Sequence, residues 1–556
     1  MDNANKLPRG KVPMYSDASL NAPRSEKFDS LPFIPGAKSR GIPAGNKKVR
    51  VRMPPSPTGY MHVGTVRMAI FNYLFAKQRE GVIVLRMEDT DRERSKKEFA
   101  NDIIDGLKWL GLEWDEGPFY QTQRGGIYKR YLQKLVDEDK AYYCFCSQDE
   151  LEAQKQYQMS RGEAPVYSGK CSQLTKKEAQ DLVDQGKSCV IRFRAEHKKL
   201  KFNDLVRGDI EFDTALTGDF VIAKDFDNAL YNFTVVVDDF EMGITHVIRG
   251  EDHISNTPKQ ILVQEAFGIP RPEYAHLPIV MGADRSKLSK RHGAVAITEY
   301  RRQGYLKEAL INFIAFLGWN PGTEKETYSM DELLRDFSLD KVQKGGAVFN
   351  PVRLDYLNGW YIRQKNSEDL TELCLPYFVE AGFIVTEQAG ENIKYKNRQT
   401  GEYVDFEFLK KVVSYQQPRL KKLSEISGMS GYFFVGDLNY EKDLLKWKES
   451  PSKETEAALD ELLNLLSKIE AGDWSRQNLE AAVLSRCAEF NLSRGLPEKD
   501  RGYLLWPLRV SLCGQKMSIG PFEMADVLGK EKTLKRITAA KELISGTTCA
   551  ETLFKQ

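Results

Sequence analysis

The sequence predicts an α/β fold in which a doubly wound sheet of Rossmann type is followed by an all-α region at the C-terminus. Three observations support this prediction. Within residues 48–110, two strand-like segments each precede a segment with helical spacing of apolar residues. The second strand-like segment is a nearly continuous apolar run, which is typical of a buried parallel strand. From about residue 366 onward, apolar positions recur at helical spacing.

The first 47 residues are expected to form a disordered extension. Pro, Gly, Ser and basic residues are scattered through them without a sustained apolar period. An organelle-targeting segment is the alternative, but Asp2, Asp17, Glu26 and Asp29 make this stretch more acidic than such segments usually are. The sequence leaves open whether the extension is a targeting remnant or a plain tail.

The first strand and the first helix are predicted on either side of the proline-rich loop "PPSPTGYMHVG". Val49, Val51 and Met53 alternate with basic residues, which indicates a strand. Helical spacing defines the apolar stripe of the helix that follows the loop. The residues of this stripe are Val66, Ala69, Ile70, Tyr73 and Leu74.

The second strand is predicted in "GVIVLRMEDTD", and a second helix follows it. The apolar stripe of this helix consists of Phe99, Ile103, Ile104, Leu107 and Leu110. Strand, helix, strand and helix in this order imply a nucleotide-binding sheet.

The loop before the first helix has the features of a phosphate-binding site. In doubly wound sheets, ligands lie beyond the carboxyl ends of the strands, where helix N-termini present unpaired N–H groups. Pro55 and Pro57 fix the loop before a ligand arrives, and Gly64 lets a nucleotide approach the backbone. His62 can donate to a phosphate or to a transition-state oxygen. The alternative is a proline-rich turn with a surface histidine.

A second basic loop, "DRSKLSKRHG", lies about 220 residues later. Lys287, Lys290 and Arg291 surround Ser289 in this loop. By itself the segment is typical of a solvated surface loop. Together with the phosphate-binding loop, it indicates a mobile cationic clamp that neutralises charge on a triphosphate as it is attacked.

Composition limits the class of protein. The chain has 556 residues, with 81 Lys and Arg against 79 Asp and Glu, so any contact with nucleic acid has to use local basic patches. Eight cysteines in this length do not indicate a disulfide scaffold, which favours a reducing compartment. No apolar run approaches the roughly 20 residues of a membrane span. We therefore expect a soluble intracellular protein.

The motifs resemble those of a known enzyme family. "PSPTGYMHVGT" is similar to the first ATP-binding signature of class I aminoacyl-tRNA synthetases, and "KLSKR" is similar to the second. With "LRMEDTDRERS", "YNFTVVVDDFEMGITHVIRGEDH" and "GWYIR", they resemble glutamyl-tRNA synthetases of the bacterial and organellar type. The resemblance is strong over residues 48–365 and looser in the C-terminal third. One position departs from the signature, because Thr65 stands in place of a histidine.

The resemblance implies ATP-dependent ligation of L-glutamate to tRNA(Glu) for protein synthesis. Glutamate would attack the ATP α-phosphate, release diphosphate and form glutamyl-adenylate. The terminal ribose hydroxyl of the tRNA would then attack the acyl carbon and release AMP. Such chemistry depends on positioning and charge stabilisation. ATP would be a substrate accompanied by Mg²⁺.

The resemblance also implies roles for individual residues. The residues expected around glutamate are Arg52, Ser56, Glu88, Tyr231 and Arg249. The residues expected around ATP are His62, Gly64, Asp252, Val280, Ser289 and Lys290, and those expected to be catalytic are His62, Lys287 and Lys290. Arginine forks suit the carboxylates of glutamate, and Glu88 suits its ammonium. The alternative for Glu88 is membership of a helix-capping run after a strand.

The segment 129–229 resembles the connective domain that binds the tRNA acceptor end, inserted between the halves of the sheet. It contains Cys144, Cys146 and Cys171, where some relatives bind structural zinc with a fourth ligand two residues after the third cysteine. That position is Gln173 in this chain, and three thiolates without a fourth ligand make a poor zinc site. We therefore expect no bound metal and regard the cysteines as packing residues.

The C-terminal third resembles the helical anticodon-binding domain of bacterial-type glutamyl enzymes. Basic clusters such as "QQPRLKKL" suit backbone contacts to an anticodon stem, although such clusters are often merely solvated. In the family, an arginine after a proline is linked to preference for the glutamate anticodon, and Arg419 stands at the matching place. Contact with phosphate is the alternative role for this arginine. By resemblance, the enzyme is expected to be a monomer. Its expected compartment is the cytoplasm, or an organelle if the N-terminal extension is a targeting remnant.

The predicted organisation has five parts. These are a disordered extension (1–47), a catalytic domain in two segments (48–128 and 230–285), the inserted connective domain (129–229), a KMSKS-type loop with a stem-contact region (286–365) and the anticodon-binding domain (366–556). Two alternatives stay open. A glutamyl-queuosine-type enzyme that modifies a tRNA base would lack the large C-terminal region. A catalytically dead tRNA-binding protein would not need Arg52, Glu88, Lys287 and Lys290.

Overall fold

The computed structural model describes residues 48–288, 296–389 and 392–546. The predicted extension, residues 1–47, lies outside the described residues, and so do Ser289, Lys290 and Arg291 of the basic loop. Within the described ranges, no helix is both long and apolar enough to cross a membrane.

The first part of the chain alternates strands with helices. Its elements are β1 (Arg50–Met53), α1 (Val63–Lys77), β2 (Val82–Met87), α2 (Lys97–Leu110), β3 (Glu116–Tyr120) and α3 (Gly125–Asp137). The three strands form a parallel sheet in the order β1-β2-β3. β2 is buried from Ile83 to Met87 because helices cover the sheet, as its apolar run predicted. The predicted first two strands and helices are confirmed.

The next part of the chain contains short strands and two polar helices. Its elements are β4 (Ala141–Cys144), α4 (Gln148–Ser160), α5 (Lys176–Asp184), β5 (Val190–Phe193), β6 (Lys199–Asp204), β7 (Gly208–Asp213) and β8 (Phe220–Ala223). β4, β5 and β8 form a small antiparallel sheet. β6 and β7 form an antiparallel hairpin of their own.

The second half of the catalytic sheet follows. Its elements are α6 (Tyr231–Glu241), β9 (His246–Gly250), α7 (Thr257–Phe267), β10 (Glu273–Leu277) and β11 (Val280–Met281). β9 is parallel to β10, and β10 is parallel to β6, so the hairpin from the preceding segment extends this sheet. The Thr245 N–H donates to the Arg50 carbonyl at 2.9 Å, which places the start of β9 beside the start of β1. The chain therefore reverses its winding between β1 and β9, the place where such sheets bind ligands.

The remaining elements are mainly helices. They are α8 (Ile297–Arg302), α9 (Lys307–Ala315), α10 (Met330–Asp336), β12 (Ala347–Val348), α11 (Pro351–Gln364), α12 (Ser367–Glu380), β13 (Ile384–Ala389), β14 (Asn392–Asn397), β15 (Tyr403–Val404), α13 (Phe406–Gln416), α14 (Glu425–Ser430), α15 (Ser452–Ser467), α16 (Arg476–Ser493), α17 (Gly502–Cys513) and α18 (Pro521–Ser545). The C-terminal helices surround a hydrophobic core of their own. The predicted fold class is confirmed, with the antiparallel sheet β13–β15 as an addition to the helical region.

Candidate active site

A cleft of about 1580 Å³ opens beyond the carboxyl ends of β1, β2 and β9. The loop after β1, the residues after β2, the start of α6 and the turn after β9 form its walls. The sequence-predicted residues that line it are Ser56, His62, Gly64, Glu88, Tyr231, Asp252, Val280 and Lys287. Arg52 and Arg249 are buried on β1 and β9, with only 1% and 2% of their surface exposed.

His62 is the N-cap of α1, and its ring accepts hydrogen bonds from the helix end. The backbone N–H groups of Gly64 and Thr65 donate to His62 Nδ1 at 3.1 and 3.4 Å. Because Nδ1 accepts, the neutral ring carries its proton on Nε2. Burial, together with nearby Lys287, lowers the pKa of His62 and favours this neutral form. A Cβ at Gly64 would lie 3.1 Å from the ring, so glycine permits the close packing of loop and helix.

A buried ion network joins β1, β2 and α6. Asp239 accepts from Arg86 Nη1 at 2.8 Å and from Arg52 Nε at 3.3 Å. Arg86 Nη2 also donates to Glu88 at 3.0 Å. Burial acts to raise the pKa of Asp239, but Arg52 and Arg86 more than offset this effect and hold it below its usual value. The network fixes Arg52 and Glu88 relative to each other, and these two residues are predicted to bind opposite charges of one ligand.

Glu88 lies at the end of β2, where the proline loop crosses the strand. Its backbone N–H donates to the Pro55 carbonyl at 2.9 Å, which ties the loop to the sheet. Burial raises the pKa of the Glu88 carboxyl despite the neighbouring Arg86 and Arg52. A carboxylate that is costly to ionise gains from a cation placed beside it, so this position suits an ammonium group.

Arg249 is held by polar groups on two sides. Its Nε donates to His276 Nε2 at 3.1 Å, and its Nη2 donates to the Thr257 hydroxyl at 2.7 Å.

The Tyr231 hydroxyl lies 3.0 Å from His253 Nδ1. Burial and the charge of Arg249 lower the pKa of His253 to about 4, so this ring is neutral at neutral pH. Tyr231 and His253 both line the cleft.

Lys287 lines the cleft together with Asp252. Its Nζ lies 3.0 Å from the Asp252 carboxylate. Burial acts to raise the pKa of Asp252, but the bond to Lys287 lowers it below its usual value. The Leu288 N–H donates to the Val280 carbonyl at 2.8 Å, so the start of the basic loop folds back on β11. The roles of Ser289 and Lys290 lie outside the described residues and stay predictions.

The three cysteines of the insert form one cluster. The Sγ atoms of Cys144, Cys146 and Cys171 lie within 4.8 Å of one another. The Tyr167 hydroxyl is 3.5 Å from the Sγ atoms of Cys144 and Cys146, and it accepts from the Cys171 N–H at 2.9 Å. Zinc in proteins is bound by thiolates, imidazoles and carboxylates, and burial together with the bonded thiols raises the pKa of the Tyr167 hydroxyl, which opposes its ionisation. Among the described residues the cluster has three cysteines and no fourth His, Cys, Asp or Glu, so the expectation of no zinc stays a prediction.

Arg419 ends the 3-10 helix Gln417–Arg419, which follows α13 directly. Its side chain is exposed, as a contact with RNA requires. Gln417 donates from its side chain to the carbonyls of Ile362 and Lys365, which fixes this turn against the end of α11. The predicted reading of an anticodon base by Arg419 stays a prediction.

The fold and the cleft define a class I synthetase. The family described as "tRNA synthetases class I (E and Q), catalytic domain" matches residues 48–356, and the "Anticodon binding domain" family matches residues 369–541. Because the first match covers more than half of the chain, the chain belongs to the class I tRNA synthetase family (E and Q).

The similar proteins with a curated name, and a similar solved structure, are glutamate–tRNA ligases. The chain is 40% identical over 498 residues to "Glutamate--tRNA ligase 2" of Thermoanaerobacter pseudethanolicus, covering 89% of this chain and 98% of that protein. It is 41% identical over 503 residues to "Glutamate--tRNA ligase 1" of Caldanaerobacter subterraneus, with the same coverage. A crystal structure of a glutamate tRNA ligase from Elizabethkingia meningosepticum in complex with its amino acid has a TM-score of 0.77 at 30% identity, covering 90% of this chain and 100% of that chain. The predicted resemblance is confirmed.

Sequence reasoning missed several residues that support the site. Arg86 is the only charged residue in an apolar strand, and Asp239 lies in a helix rich in apolar residues. A charged residue at such a position is usually paired when buried, so both could have been predicted to form buried ion pairs. Tyr167 and His276 gave no such signal. His276 depends on contacts with Arg249 and Asp204, which lie 27 and 72 residues away in sequence, and the hydroxyl of Tyr167 meets Cys146 from 21 residues away.

Proposed function

We propose that this chain attaches L-glutamate to tRNA(Glu) at the expense of ATP, through a glutamyl-adenylate intermediate, for protein synthesis. The observation that carries the proposal is the cleft itself. Its lining brings the carboxylate of Glu88 together with the N-terminus of α1, and Arg52 and Arg249 are buried on β1 and β9, the strands whose ends open into it. These residues belong to the segment that the family model matches. An acidic amino acid and a triphosphate are the ligands whose charges match this arrangement.

The amino-acid part of the cleft is proposed to bind glutamate. Arg52 and Arg249 bind its carboxylates, and Glu88 accepts from its ammonium. Ser56 and Tyr231 supply hydroxyl groups from the wall of the cleft. Burial strengthens these charge pairs because little water competes for them.

The nucleotide part is proposed to bind ATP between the two signatures. Asp252 and Val280 contact the adenosine, while His62 Nε2 and the backbone at Gly64 face the phosphates. Lys287 and Lys290 neutralise the charge that develops on the leaving diphosphate, and Ser289 supplies a hydroxyl that binds ATP. These preorganised groups hold the reactants in line without forming a covalent bond to the protein.

The reaction proceeds in two balanced steps. A carboxylate oxygen of glutamate bonds to the α-phosphorus as the bond to diphosphate breaks, which gives glutamyl-adenylate. The terminal ribose hydroxyl of the tRNA then bonds to the acyl carbon and loses its proton. The bond to AMP breaks in this second step, and AMP leaves as its phosphate anion.

Mg²⁺ is proposed to enter with ATP. Among the described residues, the only group of three His, Cys, Asp or Glu side chains that meets the geometric requirements of a metal site is the thiol cluster. Mg²⁺ commonly binds nucleotide phosphates and keeps several water ligands, so it needs few protein carboxylates. The ion when bound shields the negative charge of the triphosphate.

The remaining proposals concern partners and location. The tRNA acceptor end is proposed to meet the segment 129–229, and the anticodon stem the helical region from residue 366. The proposed state is a monomer, and the proposed compartment is the cytoplasm or an organelle.

The test of the proposed function is release of AMP from ATP by the purified chain. We expect AMP to form only when glutamate and tRNA(Glu) are both present. A catalytically dead tRNA-binding protein would release none. An enzyme that modifies a tRNA base would place the label from glutamate on an internal nucleotide, which nuclease digestion distinguishes from the terminal ribose.

Arg419→Gln is expected to relax the choice between tRNA(Glu) and tRNA(Gln). Their anticodons differ at the third base, C against G, and an exposed arginine can read the edge of an unstacked base. Loss of one specific base contact is worth about 1–3 kcal/mol. Charging efficiency on both tRNAs measures the ratio, and Arg398→Gln, which changes an exposed arginine in the turn after β14, is the matched control. Equal charging by the unaltered enzyme, or an unchanged ratio, would exclude Arg419 as the reader.

Zinc content tests the thiol cluster. Three thiols without a fourth His, Cys, Asp or Glu ligand among the described residues make a poor structural zinc site. Elemental analysis of protein purified without chelator is expected to find no stoichiometric zinc. About one zinc per chain, lost on Cys144→Ser and kept on Cys189→Ser, the control outside the cluster, would contradict this prediction.

A further inference from the structure

A line of buried polar side chains crosses three neighbouring strands and ends at Arg249. Asp204 closes β6, His276 lies on β10, and Arg249 lies on β9 directly opposite His276 in the parallel register. Their exposed fractions are 1%, 0% and 2%. Three adjacent buried polar residues are costly unless they bond to one another, so their arrangement calls for an explanation.

The hydrogen bonds fix the tautomer of His276. The Asp204 carboxylate lies 2.6 Å from His276 Nδ1, and a carboxylate only accepts, so Nδ1 carries the proton. His276 Nε2 is therefore an acceptor, and it receives the Nε–H of Arg249 at 3.1 Å. Burial, together with the charge of Arg249, keeps the pKa of His276 below its usual value in spite of Asp204. The ring thus stays neutral beside the guanidinium.

The guanidinium of Arg249 is held on two sides and free on the third. Its Nε donates to His276 Nε2, and its Nη2 donates to the Thr257 hydroxyl at 2.7 Å. Nη1 is buried and has no hydrogen-bond partner among the described residues. A buried N–H group of a cation without a partner is costly, and a carboxylate supplied by a ligand would satisfy it.

We propose that Asp204 and His276 are positioning residues that orient Arg249 to distinguish the carboxylate of glutamate from the amide of glutamine. The inference rests on the proposed function, since it takes glutamate as the ligand of Arg249. A fixed fork discriminates better than a mobile one, because the protein has already lost the side-chain freedom that binding would otherwise cost. The same bonds connect β6, which lies within the segment 129–229, through β10 to Arg249 on β9.

Asp204→Asn is the most direct test. The amide retains an acceptor for the backbone N–H groups of Val206 and Arg207, which Asp204 Oδ1 now serves. Its NH₂ group can instead donate to His276 Nδ1, which would move the ring proton to Nε2. The Nε2–H would then oppose the Nε–H of Arg249 in place of accepting from it. We expect the KM for glutamate to rise on the order of 10- to 100-fold, with the KM for ATP unchanged. The kcat/KM ratio of glutamate to glutamine should fall as well.

Two further variants separate positioning from stability. His276→Leu removes the acceptor, whereas His276→Gln restores an oxygen for Arg249, so Gln should recover most of the glutamate affinity that Leu loses. Thr257→Val keeps the side-chain shape and removes the hydroxyl that holds Nη2, and it should raise only the KM for glutamate. Asp209→Asn, on exposed β7, is the matched control and should behave as the unaltered enzyme. Thermal unfolding of each variant shows which of them are folded.

The outcomes separate this inference from the proposed function. Failure of the unaltered enzyme to charge tRNA with glutamate would contradict the proposed function. Normal charging by the unaltered enzyme, with an unchanged KM for glutamate in folded Asp204→Asn or in Thr257→Val, would overturn the positioning role alone. Equal losses of glutamate affinity in His276→Leu and His276→Gln, matched by equal falls in unfolding temperature, would also overturn the proposal. Asp204 and His276 would then only stabilise the fold.

Discussion

Arg249→Ala is expected to lower kcat/KM for glutamate by on the order of 10²–10³-fold, because removing one partner of a buried charge pair costs about 2–5 kcal/mol. The KM for ATP should stay near that of the unaltered enzyme, since Arg249 lies on β9 and is proposed to bind only the amino acid. Steady-state formation of AMP at varied glutamate and ATP concentrations measures both constants.

Glutamine provides the second readout of the same variant. The unaltered enzyme should use glutamine poorly, because the amide leaves a buried arginine without its charge partner. Arg249→Ala should bring the two amino acids closer together. Arg271→Ala is the matched control, since Arg271 is an exposed arginine paired with Glu265 on the surface. Equal activation of glutamate and glutamine by the unaltered enzyme would remove the arginines from the reading of the side-chain carboxylate.

Lys290→Ala is expected to slow the use of ATP by on the order of 10²–10³-fold without changing the folded structure. Lys290 belongs to the basic loop that is predicted from the sequence to contact the triphosphate. Loss of one preorganised charge contact in a transition state typically lowers the rate by about this factor. Rapid-quench measurement of adenylate formation separates this chemical step from release of product. The effect should appear mainly in the rate of this step rather than in the KM for glutamate.

The control for Lys290 is an exposed lysine away from the cleft. Lys307→Ala, at the start of α9, should leave the rate unchanged. Lys287→Ala should also slow the step, since Lys287 lines the cleft beside Asp252. An unaltered rate in Lys290→Ala would take this lysine out of the mechanism.

Much of the catalytic part could be predicted from the sequence because its signals are local. The proline loop, the helix start at His62 and the buried strand before Glu88 each fall within a short stretch. A parallel sheet then requires that the ends of such strands meet at one edge. Local sequence and sheet geometry therefore sufficed to place most of the predicted residues at one cleft.

The supporting contacts could not be predicted, since they join residues that are distant in sequence. Asp239 lies 187 residues from Arg52, and Asp204 lies 72 residues from His276. The contact between Tyr167 and the cysteines could not be predicted for a related reason. Its hydroxyl approaches the thiols of Cys144 and Cys146, which lie 23 and 21 residues away in sequence. The spacing of a motif does not reveal which neighbouring side chain turns toward the site.

The most direct measurement of the central claim is charging of purified tRNA with labelled glutamate by the full chain in the presence of ATP and Mg²⁺. We expect label on the terminal ribose of tRNA(Glu), dependent on ATP and accompanied by one AMP for each glutamate attached. Glutamine should not replace glutamate. No label on tRNA(Glu), or label on an internal base instead of the terminal ribose, would contradict the proposed function.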